Sequence, residues 1–356
     1  MSAPLRLREM LRVARELRAS DLHISAGLPI RFRTDGVLEC HDPAPVDAAE
    51  IGAAIDHCFA EGAKRRLEAE GDATITYFDA DAGFARIHAF RAGENFALAV
   101  RLLAREIPTL EGVRLPPSAT QLMQRTRGLV IVCGPTGSGK STALAAMIDR
   151  INNTQSKHII LIEDPIEYRH TSRKSHVSQR EIGSDTPSFS AALLGALRSD
   201  PDVLLVGEMR DRATMHAAVG AAETGHLVFC TMHTGSAPES VDRIVGSFDG
   251  AAQLEMRTQL AETLAGVISL RLVARARGPG RLAAVEVLIA NDAVRAAIRD
   301  AKTHHLRNVI ATSRHCGMQT LEADLGELLL RGDVTYRAAR EATDRPDELR
   351  VPDAGA

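Results

Sequence analysis

The chain has 356 residues, 45% of them hydrophobic and 25% charged, with 43 basic against 46 acidic side chains and a formal net charge of −3. Those proportions fit an ordinary globular protein of about two compact domains, and so small a net charge argues against a bare phosphate backbone as main partner. Nine Phe, three Tyr and no Trp leave few platforms for stacking bases, so no nucleic-acid partner is expected. The five cysteines, Cys40, Cys58, Cys133, Cys230 and Cys316, contain no CxxC pair. That spacing excludes a four-cysteine zinc site and fits a reducing cytoplasm. No apolar run approaches the roughly 18 residues of a membrane span, so direct membrane insertion is not expected.

In chain order, Met10, Leu11, Ala14 and Leu17 share one face of a short amphipathic helix. Leu22 to Ser25 reads as a strand, and Arg31 to Arg33 with Val37-Leu38 as a hairpin closed by an Asp35-Gly36 turn. A helical stretch from Ala48 to Ala69 follows. Two hairpins then share the strand Phe84 to Phe90, turning at Asp79 to Gly83 and at Arg91 to Asn95. This half is expected to be a small α+β module spanning residues 1–106. Three prolines between Ile107 and Pro117 place a linker at residues 107–118.

From residue 119 the texture changes. Gly128 to Cys133, His158 to Ile162, Val203 to Val206 and His226 to Thr231 are near-continuous apolar runs, as buried parallel strands are. Helical stretches at Thr142 to Asn152, Phe189 to Arg198 and Ala213 to Thr224 separate them. The alternation predicts an α/β sheet with helices on both faces over residues 119–356, its last eighty or so residues mostly helical.

Gly134, Pro135, Thr136, Gly137, Ser138, Gly139, Lys140 and Ser141 match GxxxxGK[ST] in full, between a predicted strand and a predicted helix. Glycines let consecutive backbone N–H groups face phosphate oxygens, and the helix N-terminus beginning near Thr142 adds its dipole. Lys140 is expected to reach the β and γ phosphates of ATP, and the Ser141 hydroxyl to ligate Mg²⁺. Chance produces this pattern in roughly one chain per hundred of such length, before the flanking elements are required.

The run Val203 to Glu208 ends a strand in an acid, which beside a phosphate loop holds Mg²⁺ or polarises the attacking water. Glu163, with Asp164 and Glu167, lies just past another buried strand, where ligands of open α/β sheets bind. Spacing leaves open which of Glu163 and Glu208 activates water. His233, after a third strand, is placed to hydrogen-bond the γ-phosphate, although a lone histidine is more often unremarkable. Arg86 and Arg101 are, on their own, two ordinary strand arginines.

Taken together, Ala19 to Pro29, the phosphate loop, Ile162 to Glu167, Leu197 to Asp211, Ala222 to Phe229, Thr231 to Thr234 and Gly317 to Leu321 resemble the type IV pilus retraction ATPases of the secretion ATPase superfamily, in the same order over about residues 19–335. The resemblance implies a PAS-like N-terminal domain, a RecA-like P-loop ATPase domain, and a homohexamer with ATP bound between subunits. It implies catalytic roles for Glu163, Glu208 and His233, and it places Arg86 and Arg101 where relatives have arginines that approach the phosphates. The implied function is an ATP-driven motor for pilus retraction, cytoplasmic and peripheral at the inner membrane, acting on a platform protein there, with a paralogous retraction ATPase as a further candidate partner. The family's AIRNLIRE stretch appears as Ala293 to Asp300 (AVRAAIRD), which puts full retraction competence in question. Two other readings are an assembly or type II secretion ATPase, against which the missing zinc cysteines argue, and a non-catalytic regulatory subunit, against which Lys140, Glu163 and Glu208 argue.

Overall fold

The computed structural model describes residues 3–34, 36–104 and 106–349. It divides into two compact units: the first runs to Glu106 and adds Pro165–Arg169, and the second comprises Ile107–Asp164 and the chain from His170 onward.

In the first unit, β1 (Asp21–Ser25), β2 (Arg31–Thr34), β3 (Val37–Glu39), β4 (Asp72–Asp79), β5 (Gly83–Ala92) and β6 (Asn95–Leu102) form an antiparallel sheet in the order β3-β2-β1-β6-β5-β4. It is accompanied by α1 (Ala3–Glu16), α2 (Ala48–Cys58) and α3 (Glu61–Glu70). The core gathers Leu11, Leu22, Phe32, Ile51, Leu67 and Ile87, none more than 2% exposed. Each such side chain contributes about 1.5–3 kcal/mol of burial. The Arg15 guanidinium fastens α1 to the sheet, donating to the carbonyls of Ala82 (2.7 Å), Phe84 (3.0 Å) and Leu103 (2.6 Å).

Two expectations change in detail. The helix read from Ala48 to Ala69 is two helices, because Phe59 turns extended (φ −93°, ψ 125°) and buries its ring in the core. Of the expected Asp35-Gly36 turn, Asp35 lies outside the described residues, while Gly36 has the positive φ of +87° that a tight hairpin between Thr34 and Val37 requires.

The second unit is built on β7 (Gly128–Cys133), β8 (His158–Glu163), β9 (His176–Glu181), β10 (Val203–Val206), β11 (Leu227–Met232), β12 (Leu264–Ala274) and β13 (Arg281–Ile289), in the order β13-β12-β7-β11-β10-β8-β9. Only β13 runs antiparallel, against β12. One face carries α5 (Lys140–Thr154) through Leu144, Met147, Ile148 and Ile151, joined by α4 (Pro117–Met123). On the other face lie α6 (Phe189–Ala196), α7 (Arg212–Glu223), α8 (Ala237–Gly246) and α9 (Gly250–Thr263), with Met215, Val219, Val241, Ile244 and Leu260 fully buried. The chain closes with α10 (Asp292–Arg299), α11 (Leu306–Thr312), α12 (Leu321–Leu330) and α13 (Tyr336–Glu341). The last eighty residues are therefore helical only after β13, whose apolar residues fill a sheet position beside β12. Among the described residues no helix is long and apolar enough to cross a membrane.

The proline-containing stretch before α4 is anchored rather than loose. Arg114 forms a two-pronged bridge to Asp324 at 3.0 and 3.2 Å and donates to Ala283 O at 2.8 Å. The motif stretch on α10 is anchored as well: Arg295 donates to Glu262 O (2.6 Å) and Leu264 O (3.2 Å), and Ile298 is fully buried. Of the altered positions, Ala297 is buried and Asp300 exposed.

Candidate nucleotide site

The site lies at the carboxyl edge of the parallel sheet, where β7, β11, β10 and β8 all end. From β7 the chain enters Gly134 at φ +146°, and any Cβ there would stand 2.5 Å from Leu270 O and 2.6 Å from Ser138 Oγ. Gly137 (φ +74°) and Gly139 (φ +92°) are also left-handed, and Gly139 caps the N-terminus of α5. Three left-handed or otherwise glycine-only residues in six bend the backbone into a concave loop, and the helix directs the positive end of its dipole into it. Lys140 is only 8% exposed, and its Nζ donates to Gly134 O (2.8 Å) and Pro135 O (3.0 Å) across the loop. Ser138 Oγ is buried with no hydrogen-bond partner among the described residues. A buried ammonium, a cradle with no room for a Cβ and an orphaned hydroxyl fit a polyphosphate ligand. Ser141 and Thr142, in the first turn of α5, are half-buried at the same mouth.

Glu208 follows β10, and its neighbours are fixed by the sheet. Met209 N–H donates to Thr231 O at 3.0 Å, and the Thr231 hydroxyl bonds Gly207 O, so the ends of β10 and β11 are tied together. The Glu208 Oε1 atom meets Arg210 Nε at 2.6 Å and His233 Nε2 at 3.3 Å. Burial pushes the Glu208 carboxyl up, but the Arg210 hydrogen bond and the His233 and Arg210 charges outweigh it, leaving its pKa below the ordinary glutamate range. The other ring nitrogen, His233 Nδ1, lies 3.5 Å from Thr136 Oγ1 on the phosphate loop. Arg210, Glu208, His233 and Thr136 thus form one continuous polar chain into the loop.

Glu163 ends β8 beside β10: Gly207 N–H donates to Ile162 O at 2.7 Å, and a Cβ on Gly207 would stand 3.2 Å from Glu163 Cα. Its Oε1 accepts from Gln179 Nε2 at 2.9 Å. Arg86 and Arg101 belong to the first unit, directly opposite one another on β5 and β6, and Arg101 Nε donates to Asp21 Oδ1 at 2.8 Å.

Two residues that complete these contacts escape sequence reasoning. Arg210 stands two positions after a strand-end acid, close enough in sequence to have been suspected. Gln179 lies sixteen residues beyond Glu163 on a polar edge strand, and only the parallel pairing of β8 with β9 brings it near.

Fold and site together define a P-loop ATPase. Residues 3–339 match the family of Type II/IV secretion system proteins; the chain belongs to that family and is an ATP-hydrolysing enzyme. It is similar to the type IV pilus retraction ATPase PilT of Pseudomonas aeruginosa, with 40% identity over 96% of this chain and 99% of that one. The P. aeruginosa type IV pilus ATPase PilU is 35% identical over 96% of this chain and 90% of its own. Among solved structures, the pilus retraction motor PilT with bound ADP superposes with a TM-score of 0.89 at 42% identity, covering 96% of this chain and 98% of that one.

Proposed function

We propose that this protein is a hexameric motor that powers type IV pilus retraction, hydrolysing ATP in the cytoplasm and acting on a platform protein of the inner membrane, with a paralogous retraction ATPase as a second partner. The observation that carries the reading is the convergence of Lys140, Glu208 and His233 on one edge of a parallel sheet. The first unit, with its antiparallel sheet and helices, is read as the PAS-like module, and the second as the RecA-like engine.

Backbone amides from Thr136 to Thr142 and the Lys140 ammonium hold the phosphates. The Ser141 hydroxyl and the Glu208 carboxylate would hold Mg²⁺, which would supply charge neutralisation on the phosphate oxygens. A carboxylate kept ionised by Arg210 and His233 suits a cation ligand better than a proton acceptor. Glu163, at the end of β8 with its Oε1 held by the Gln179 carboxamide, is assigned to orient the attacking water and take its proton. His233 bridges Glu208 to Thr136 and so couples the cation ligand to the loop. Arg86 and Arg101 are assigned to neutralise charge spreading over the γ-phosphoryl oxygens in the assembled ring.

Deletion of the gene, followed by counting surface pili, tests the direction of work. Hyperpiliated, non-twitching cells are expected; bald cells would make the protein an extrusion motor instead.

A further inference from the structure

The excursion that follows Glu163 is held at both feet by one side chain. The chain leaves the second unit after Asp164, contributes Pro165–Arg169 to the first, and returns at His170. Gln179, on the polar edge strand β9, donates Nε2–H to Glu163 Oε1 at 2.9 Å and accepts the His170 backbone N–H on Oε1 at 2.8 Å. The backbone N–H can only donate, so it fixes the carboxamide's orientation: the oxygen turns to His170 and the NH₂ to Glu163. The sheet dictates the placement. Gln179 is registered opposite Leu161 on β8, and Glu163, two residues on, lies on the same face one diagonal step away.

We propose that Gln179 is a positioning residue for ATP hydrolysis, one that fixes the Glu163 carboxylate by clamping it to the backbone at the far foot of the 164–169 excursion. The inference rests on the assignment of Glu163 as the water-orienting base. A base with one oxygen tethered at 2.9 Å keeps the other aimed in one direction, and a displacement near 1 Å from that aim costs about a hundredfold in rate.

The test compares steady-state ATP hydrolysis by the full chain carrying Gln179→Leu, Glu163→Gln and both, with nucleotide affinity and thermal midpoint measured alongside. Gln179→Leu is expected to lower kcat by about 10–100-fold with KM for ATP within about threefold of wild type. In the Glu163→Gln background the same substitution is expected to change kcat no further, because the group it positions is already disabled. Equal losses from Gln179→Leu in both backgrounds, or a loss that only tracks a lowered thermal midpoint, would make Gln179 a merely structural residue and overturn the inference. Wild-type kcat in Gln179→Leu beside an inactive Glu163→Gln would also overturn it while leaving the base assignment standing. Wild-type kcat in Glu163→Gln would instead remove the base assignment itself.

Discussion

Glu208 and His233, at the ends of two neighbouring parallel strands, are joined through Oε1 and Nε2 at 3.3 Å, while the opposite nitrogen of the same imidazole stands 3.5 Å from Thr136 on the phosphate loop. A single ring thus touches both the strand-end acid and the phosphate loop. Glu208 Oε1 meets Arg210 and His233, and Glu163 Oε1 accepts from the Gln179 carboxamide; the proposed separation of work between the two carboxylates is drawn from these contacts.

That separation predicts different phenotypes for isosteric substitutions. Glu163→Gln should bind ATP with affinity close to wild type and lose about 10²–10³-fold in kcat. Glu208→Gln should weaken nucleotide binding specifically in the presence of magnesium as well as lowering turnover. Titration with and without magnesium, beside phosphate-release kinetics, distinguishes them. Normal turnover in Glu163→Gln would move the base to Glu208.

The pH dependence of turnover follows from the Arg210 contact. Glu208 has its folded pKa below the ordinary glutamate range, so its charged form is fully present above that range and is lost only as pH falls through the lowered value. In Arg210→Leu, burial still raises the carboxyl while the strongest lowering partner is gone. The acid limb of the kcat profile should therefore shift to higher pH, with Arg210→Lys shifting it less. An unmoved limb would show that Glu208 does not set it.

Glycines in the loop should not be equivalent. Gly134→Ala drives a methyl group into Leu270 O and Ser138 Oγ at about 2.5 Å, where the backbone carbonyl of β12 cannot give way. It is expected to weaken nucleotide binding more than tenfold and cost about 2–3 kcal/mol in denaturant unfolding. Gly137→Ala meets nothing within 4 Å and pays only for its φ of +74°, about 1–2 kcal/mol.

Much of this architecture could be read from residue pattern. The apolar runs of β7, β8, β10 and β11 are buried on both faces, so their composition announces them. β9 (HVSQRE) is a polar edge strand that carries no such signal, and Gln179 was invisible with it. β12 follows α9 without a break, Thr263 ending the helix and Leu264 opening the strand, so no turn residue marks the boundary. The phosphate loop and the acids after β8 and β10 were legible because loop chemistry and strand ends are local. The contacts of Gln179 with Glu163 and of His233 with Glu208 were not, because the pairing of separate strands decides them.

The stretch before α4 supplies a stability prediction. Asp324 is 7% exposed at its side chain; besides Arg114 it accepts Val285 N–H at 2.9 Å. Arg114→Ala strands that carboxylate and should cost about 2–3 kcal/mol by chemical denaturation, with KM for ATP unchanged. A cost below about 0.5 kcal/mol would mark the bridge as solvent-screened.

The loop from Gly134 to Ser141 is assigned to bind and turn over ATP, and the decisive comparison is phosphate release by purified wild-type protein against Lys140→Ala. Magnesium-dependent hydrolysis by the wild type, at least about 10³-fold lower in the variant with its circular dichroism unchanged, is the predicted result. Turnover that persists in folded Lys140→Ala would contradict the assignment of this loop as the site of catalysis.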